Sequence, residues 1–378
     1  MDVSLGLSIV RGLILLIGIA AIVATLLPLL REEAWWIRIF DFPRLQITAV
    51  AAISAVGALL LGVHHWAAGI GLIAALFVCA LYQFYRIAPY TPLRPRQVEN
   101  SSPAGLANKQ RQLSMMVTNV LMTNRDSEAC LRVIRDCDPD IILAVETDQW
   151  WLEKLSVLEA THPHTAYAPL PNTYGLLLFS RLELINPQIK FLLDDDIPSF
   201  HGHVKMPSGE LVRLYCLHPK PPAPQESKTS TRRDAELLLV GSEIENSEEP
   251  TIVAGDMNDV AWSHTSELFR RLSGLLDPRI GRGLLPTFHA EYSLMRWPLD
   301  HIFHSPDFKV ADIRRLPYTG SDHFPICIRL SYEPHAKAQQ EVQAEKPDAE
   351  DYREVEEKIE KGFQEEADEE MQEAMNPK

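Results

Sequence analysis

Three long apolar stretches fill the first ninety residues, and from residue 113 they give way to short apolar runs alternating with amphipathic ones. Residues 8–30 (SIVRGLILLIGIAAIVATLLPLL) carry one charge and are long enough to cross a hydrocarbon core of about 30 Å. Residues 46–63 and 66–85 are two further stretches, rich in the Ala, Gly and Ser that let helices approach closely in lipid. Three spanning helices are expected. A cleaved signal peptide would have a shorter apolar core and no two spans directly behind it. Residues 88–112 are rich in Pro, Ser and Asn, lack periodicity and read as a linker.

Beyond the linker, LSMMVTNV, DIILAVE, YGLLLFS, VRLYCLH, TIVAGD, LDHIFHS and FPICIRL are short enough, and apolar enough, to be buried strands. Segments 127–137, 148–157, 230–246 and 263–273 follow a helical period. Strands and helices mix throughout, with a hairpin-like Ser-Gly turn in HVKMPSGELVRLYC. The fold class expected for residues 113–332 is therefore α/β, a mixed two-sheet sandwich rather than a doubly wound parallel sheet. Residues 333–378 are highly charged and poor in aromatics, so a disordered tail or a solvated single helix is expected there. Because a linker precedes the domain, a fragment lacking residues 1–95 is expected to fold alone.

Charge divides sharply along the chain. Residues 1–112 carry 9 Lys/Arg against 5 Asp/Glu, residues 113–332 carry 21 against 30, and residues 333–378 carry 6 against 16. An acidic central domain argues against strong sequence-independent binding to a long duplex, which needs Lys and Arg on the phosphates. Arg31, Arg38, Arg44, Arg86, Arg94 and Arg96 lie on one side of the expected spans and only Arg11 on the other. Positive-inside counting makes this a multi-pass protein of the cell (inner) membrane with its large domain in the cytoplasm. The five cysteines form no CxxC pair, and reduced, packed thiols are expected.

Five polar motifs sit at the ends of the apolar runs. They are Asn119 in MVTNVL, Glu146 in ILAVET, His218 in LHPKPP, Asp256 and Asn258 in VAGDMND, and Asp322-His323 in TGSDHFP. A carboxylate such as Glu146 at the end of IILAV is costly as mere packing. A hard divalent cation takes oxygen ligands, keeps several waters, and neutralises charge on a phosphoester under attack. His323 is a candidate general base, because a neutral imidazole takes a proton from water near pH 7. Adjacent residues of an extended strand point to opposite faces, so Asp322 is a poor partner for that ring unless the chain turns. Asp256 and Asn258, two apart, share a face. Arg232 and Arg233, opening a helix after the His218 loop, are candidate phosphate contacts. Tyr174 and Trp297 could stack on a ring.

In this order the motifs resemble those of the endonuclease/exonuclease/phosphatase superfamily over residues 113–332. The resemblance implies a metal-dependent phosphoesterase using Mg²⁺ or Mn²⁺. It implies Glu146 and Asn119 as metal ligands and His323 as the base. Asp256 would orient the attacking water, and Asn258, His218 and Arg232 would hold phosphate. The resemblance gives Asp322 either the orienting of His323 or a metal contact, with Asp300 of PLDHIF as the alternative orienter. The implied substrate is a phosphodiester, whether nucleic acid, phospholipid or small phosphoester, with membrane lipids as further partners. A lipid-headgroup or inositol-phosphate enzyme is the alternative. A non-catalytic membrane scaffold would need lost motif residues, and none is lost.

Overall fold

The computed structural model describes residues 3–375; residues 1–2 and 376–378, the ends of the expected anchor and tail, lie outside the described residues. The chain opens with helices α1 (Val3–Leu26), α2 (Trp35–Arg38), α3 (Arg44–Leu60) and α4 (Ala67–Ile87). α1 and α4 each belong to a stretch long and apolar enough to cross a membrane. α3, with 17 residues, meets that requirement only together with Trp35–Asp41, from which it is bent by 74°. Two helices, not the expected three, thus qualify by themselves. The cause is Pro43, which breaks any helix entering from Trp35 and leaves α3 to start afresh at Arg44.

The bundle is held by small residues. Ala21 and Ala24 of α1, Ala51 and Ala55 of α3, and Cys79 and Ala80 of α4 share one buried cluster. Polar groups join the bundle's domain-facing end: Arg44 reaches Asp41 and Gln83, and Gln83 donates to Thr25. Arg38 also pairs with Asp41. Two of the arginines that suggested orientation therefore share the one carboxylate of Asp41.

Residues 88–112 are not a free linker. Tyr90 is buried and donates its hydroxyl to the Ala261 carbonyl at 2.6 Å. Val98 belongs to the central core, and Ser101 N–H bonds the Val310 carbonyl. A short helix, α5 (Pro103–Ala107), follows. The apolar side chains between the prolines find surface to cover, which composition alone does not reveal.

The α/β sandwich is present as expected. Its strands are β1 (Gln112–Asn119), β2 (Ile141–Val145), β3 (His164–Ala168), β4 (Leu176–Ser180), β5 (Glu183–Phe191) and β6 (Pro198–Lys205). They continue with β7 (Leu211–Leu217), β8 (Thr251–Asp256), β9 (Asp300–His304), β10 (Phe308–Arg315) and β11 (Ile326–Tyr332). One sheet has the order β10-β11-β1-β2-β4-β3 and the other β5-β6-β7-β8-β9. β1 and β2 are parallel, as are β7 and β8; the other pairings are antiparallel. Alternate residues such as Met115, Val117, Leu143, Leu214 and Ala254 meet between the sheets.

Helices cover the outer faces. α6 (Ser127–Cys137) and α7 (Gln149–Leu155) cover Met116, Ile142 and Ala144; Asp126 and Asp148 cap them by accepting from Ala129 N–H and Trp151 N–H. α8 (Thr231–Ile244) and α9 (His264–Ser273) cover Leu217 and Val253. α10 (Lys337–Glu341) leads into α11 (Ala349–Met375).

The tail forms the single helix that was one of the two expectations, but one face of that helix is docked on the domain. α11 lies on α8, with Val355 in the core cluster there and Gly362 so close that a Cβ would come within 2.4 Å of the Ala235 Cβ. Lys358 is buried between Asp234 of α8 and Glu33 of the first loop, at 3.0 and 3.1 Å. The tail's acidic surplus hides one apolar stripe and one cation that have a partner surface.

Candidate active site

The parallel pairs β1–β2 and β7–β8 bring their carboxyl ends to one edge of the sandwich. Asn119 closes β1, Glu146 follows β2, His218 follows β7, and Asp256 closes β8. Antiparallel neighbours deliver the rest. Asp300 opens β9 in register with Asp256, and His323 lies just ahead of β11, which pairs with β1. Gly255 has φ 149°, and a Cβ there would lie 1.8 Å from the Leu217 carbonyl oxygen, so only glycine lets β8 close on β7 at this point. Glu146 and Asn258 have φ of 58° and 50°, conformations uncommon away from glycine and frequent at functional sites.

The Asn119 amide nitrogen joins the two sheets, donating to Glu146 Oε1 at 2.7 Å and to Asp256 Oδ2 at 3.1 Å. Its Oδ1 accepts from Leu121 N–H. His323 Nδ1 donates to Asp300 Oδ2 at 2.8 Å, while Nε2 faces Asp256 Oδ2 at 3.5 Å. Thr287 Oγ1 accepts from Asp300 N–H and fixes the start of β9. Asp256 Oδ1 accepts from Asn258 N–H, and the Asn258 amide donates to the Pro219 carbonyl, tying the GDMN turn to the His218 loop. His218 is buried, its ring 5.5 Å from that of Tyr174, and its Nδ1 has no hydrogen-bond partner.

The charges are strongly coupled. Burial alone would lower the His323 pKa, but Asp256 and Asp300 outweigh it and raise it to about 10. Burial would likewise raise Asp256, yet His323 and His218 hold it below the usual carboxylate range. Burial pushes Glu146 up to about 7 against the Asn119 hydrogen bond. Burial lowers His218, favouring neutral imidazole.

Two expected residues take other parts. Arg232 is buried in ion pairs with Asp194 and with Glu369 of α11, so it is committed to holding the tail. Asp322 makes no hydrogen bond to the His323 ring, though its charge reaches that ring and Glu146; its backbone carbonyl accepts from Ala290 N–H, and Asp300 takes the ring instead. Arg233 serves the site indirectly, donating to the Asn258 carbonyl and pairing with Asp234 and Asp259. Trp297 lies against Phe288, whose own ring is 4.9 Å from His323. Phe288 and Thr287 carry no motif, and only the fold brings them here.

One donor atom each of Asp256, Asp300 and His323 lie within 4.8 Å of one another. His323 already gives Nδ1 to Asp300, so this trio is arranged as a base between two carboxylates. The oxygen-rich set Glu146, Asn119 and Asp256 suits a hard divalent cation, and the Glu146 carboxyl makes no ion pair among the described residues. As placed, Asn119 offers nitrogen to that side, so acting as a ligand requires a half-turn of its amide.

The model of the Endonuclease/Exonuclease/phosphatase family matches residues 116–323, over half of the chain and every motif above. The chain belongs to this family. Family members are mostly hydrolases of phosphoester bonds, and they typically use divalent metals. No curated protein sequence matches. Similar solved structures include an endonuclease/exonuclease/phosphatase from Beutenbergia cavernae, 18% identical with TM-score 0.49, covering 59% of this chain and 72% of that one. A family protein from Bacteroides thetaiotaomicron is 20% identical with TM-score 0.48, covering 60% and 97%. D. rerio TDP2 complexed with single strand DNA product is 15% identical with TM-score 0.47, covering 58% and 99%.

Proposed function

We propose that this family member is a membrane-held, divalent-cation-dependent phosphodiesterase. The observation that carries the reading is His323 held by Asp300 on one ring nitrogen and turned toward Asp256 on the other. Asp256 orients a water, and neutral His323 accepts its proton at Nε2 as the water oxygen attacks phosphorus. The phosphorus–oxygen bond to the leaving alcohol breaks, giving a phosphomonoester and, after protonation, an alcohol. His218 and Asn258 donate to the phosphate oxygens as charge builds. Glu146, with Asn119 after its amide turns, would hold Mg²⁺ or Mn²⁺. When bound, that cation would supply positive charge beside the phosphate and would weaken the carboxylates' hold on the His323 proton. α1 and α4 support membrane attachment, and the arginine bias supports a cytoplasmic face.

The test is turnover of a chromogenic phosphodiester by the full-length chain in detergent. His323→Ala and Asp256→Asn should each lose about 10²–10⁴-fold with melting little changed. Because both act on one water, the double variant should be little worse than the weaker single one. Near-wild-type turnover in either variant removes that residue from the mechanism.

A further inference from the structure

The wall beside His323 continues into a loop that reaches the membrane helices. Phe288 packs its ring on His323 and pairs with Trp297 across the base of residues 289–296. Ala290 N–H donates to the Asp322 carbonyl at 2.6 Å, so the loop springs directly from the catalytic segment. Its tip exposes Tyr292 (58%), Leu294 (82%) and Met295 (54%). Three large apolar side chains within four residues, all turned to solvent, mark a surface that something covers.

The neighbours of the loop identify what covers it. Gln46, in the first turn of α3, donates its amide to the Leu294 carbonyl at 2.7 Å. The Trp297 ring meets Phe42, just ahead of α3, edge-on at 5.8 Å. Farther along α3, which packs with α1 and α4, Ile53 and Val56 are exposed at 71% and 57%. The tip of the loop thus lies against the first turn of α3, at the domain-facing end of the bundle. The placement is fastened elsewhere too. Trp262 Nε1 donates to the Asp41 carbonyl at 2.7 Å, and Arg86 donates to the Trp262 carbonyl and Glu267.

We propose that the 289–296 loop lies in the bilayer interface and that the active site takes a phosphodiester whose leaving or retained group is anchored in that bilayer. This rests on the phosphodiesterase reading above. Burial of Leu294, Met295 and the Tyr292 ring at the interface stabilises the apposition. A bilayer-anchored substrate then meets the site at high local concentration. The acidic domain, with 21 Lys/Arg against 30 Asp/Glu, gives a polyanionic nucleic acid no comparable attraction.

The test uses the full chain reconstituted in vesicles of phosphatidylethanolamine and phosphatidylglycerol. An environment-sensitive fluorophore on Leu294→Cys should be quenched by lipids spin-labelled near the headgroup. The same fluorophore on Lys205→Cys, at the end of β6 away from His218, should not be. Absence of quenching at position 294 overturns the inference whatever the enzyme does. Two diesters sharing a p-nitrophenol leaving group then separate the claims: phosphatidyl-p-nitrophenol in the vesicle, and bis(p-nitrophenyl) phosphate in water. The anchored diester should have the higher kcat/KM, by about tenfold or more. Leu294→Asp with Met295→Asp should lower the anchored-to-soluble ratio several-fold. An unchanged ratio, or a single-stranded oligonucleotide cleaved in preference to the anchored diester, overturns the inference. If the loop is quenched but neither diester is cleaved, the phosphodiesterase reading fails and the bilayer contact stands.

Discussion

His323 Nδ1 lies 2.8 Å from Asp300 Oδ2, while its Nε2 is turned toward Asp256. The imidazole is therefore held as a cation between two buried carboxylates until other positive charge arrives. Its folded pKa, about 10, lies above the ordinary 6.5. A raised pKa means stability present in full below the unfolded value and lost as pH rises through the folded one. In the metal-free chain, the gap in unfolding free energy between wild type and His323→Gln should be largest near pH ~6 and close toward pH ~10. At its largest it should be about 3 kcal/mol, as for a buried pair losing one partner. A gap independent of pH would show that the ring is not charged in the fold.

Glu146 shifts in the same direction, in a lower pH window. Its carboxyl is raised from 4.5 to about 7, so ionising it disfavours the fold. The metal-free chain should lose stability as pH rises from about 4.5 to about 7, then level off, by on the order of 2 kcal/mol given its partial exposure. At pH ~8, Mg²⁺ should raise the melting temperature of wild type. Glu146→Gln should melt higher than wild type without metal and respond little to Mg²⁺. Equal Mg²⁺ stabilisation of both would move the cation away from Glu146.

The motif residues were legible because each ends a strongly apolar run, and strand ends are where a packed sheet can present polar atoms. Asn119, Glu146, His218, Asp256, Asn258, Asp300 and His323 do converge. The commitment of Arg232 is not legible in the sequence, because its partners Asp194 and Glu369 lie 38 and 137 residues away and leave no local sign. The same holds for Lys358, whose partners Glu33 and Asp234 come from the first loop and α8. The strand β5 escaped notice because its residues are largely exposed or half-buried, giving no apolar run. Pro43 was visible, but its effect on the middle span depends on the bend that the fold adopts there.

Docking of α11 can be tested at Gly362. A larger side chain cannot fit against Ala235 without moving the helix away. Gly362→Leu should free the tail to rapid hydrogen exchange and expose Lys358. Lys358→Met should destabilise the fold by about 2 kcal/mol, because buried Asp234 then keeps only Arg233 as a cation and half-buried Glu33 loses its own. Unchanged exchange in Gly362→Leu would mean that the tail does not need this contact.

Removing residues 1–95 should not give the self-standing domain that the linker reading implied. The cut removes Ile87 and Tyr90, which share a buried cluster with Val260, Ala261 and Trp262. The fragment is expected to aggregate or melt well below the full chain. Replacing Trp262, Val260 and Leu299 by polar residues should partly rescue solubility. A soluble fragment melting with the full chain would contradict the fastening of the domain to the bundle.

The most direct measurement is hydrolysis of bis(p-nitrophenyl) phosphate by the purified full-length chain, first in chelator and then with Mg²⁺ or Mn²⁺ restored. Turnover should vanish in chelator and return with either ion in wild type. It should stay at least about a hundredfold lower in Glu146→Gln at every ion concentration, consistent with loss of a metal ligand. Full turnover in chelator, or wild-type turnover by Glu146→Gln, would contradict a cation-dependent phosphodiesterase built on this site.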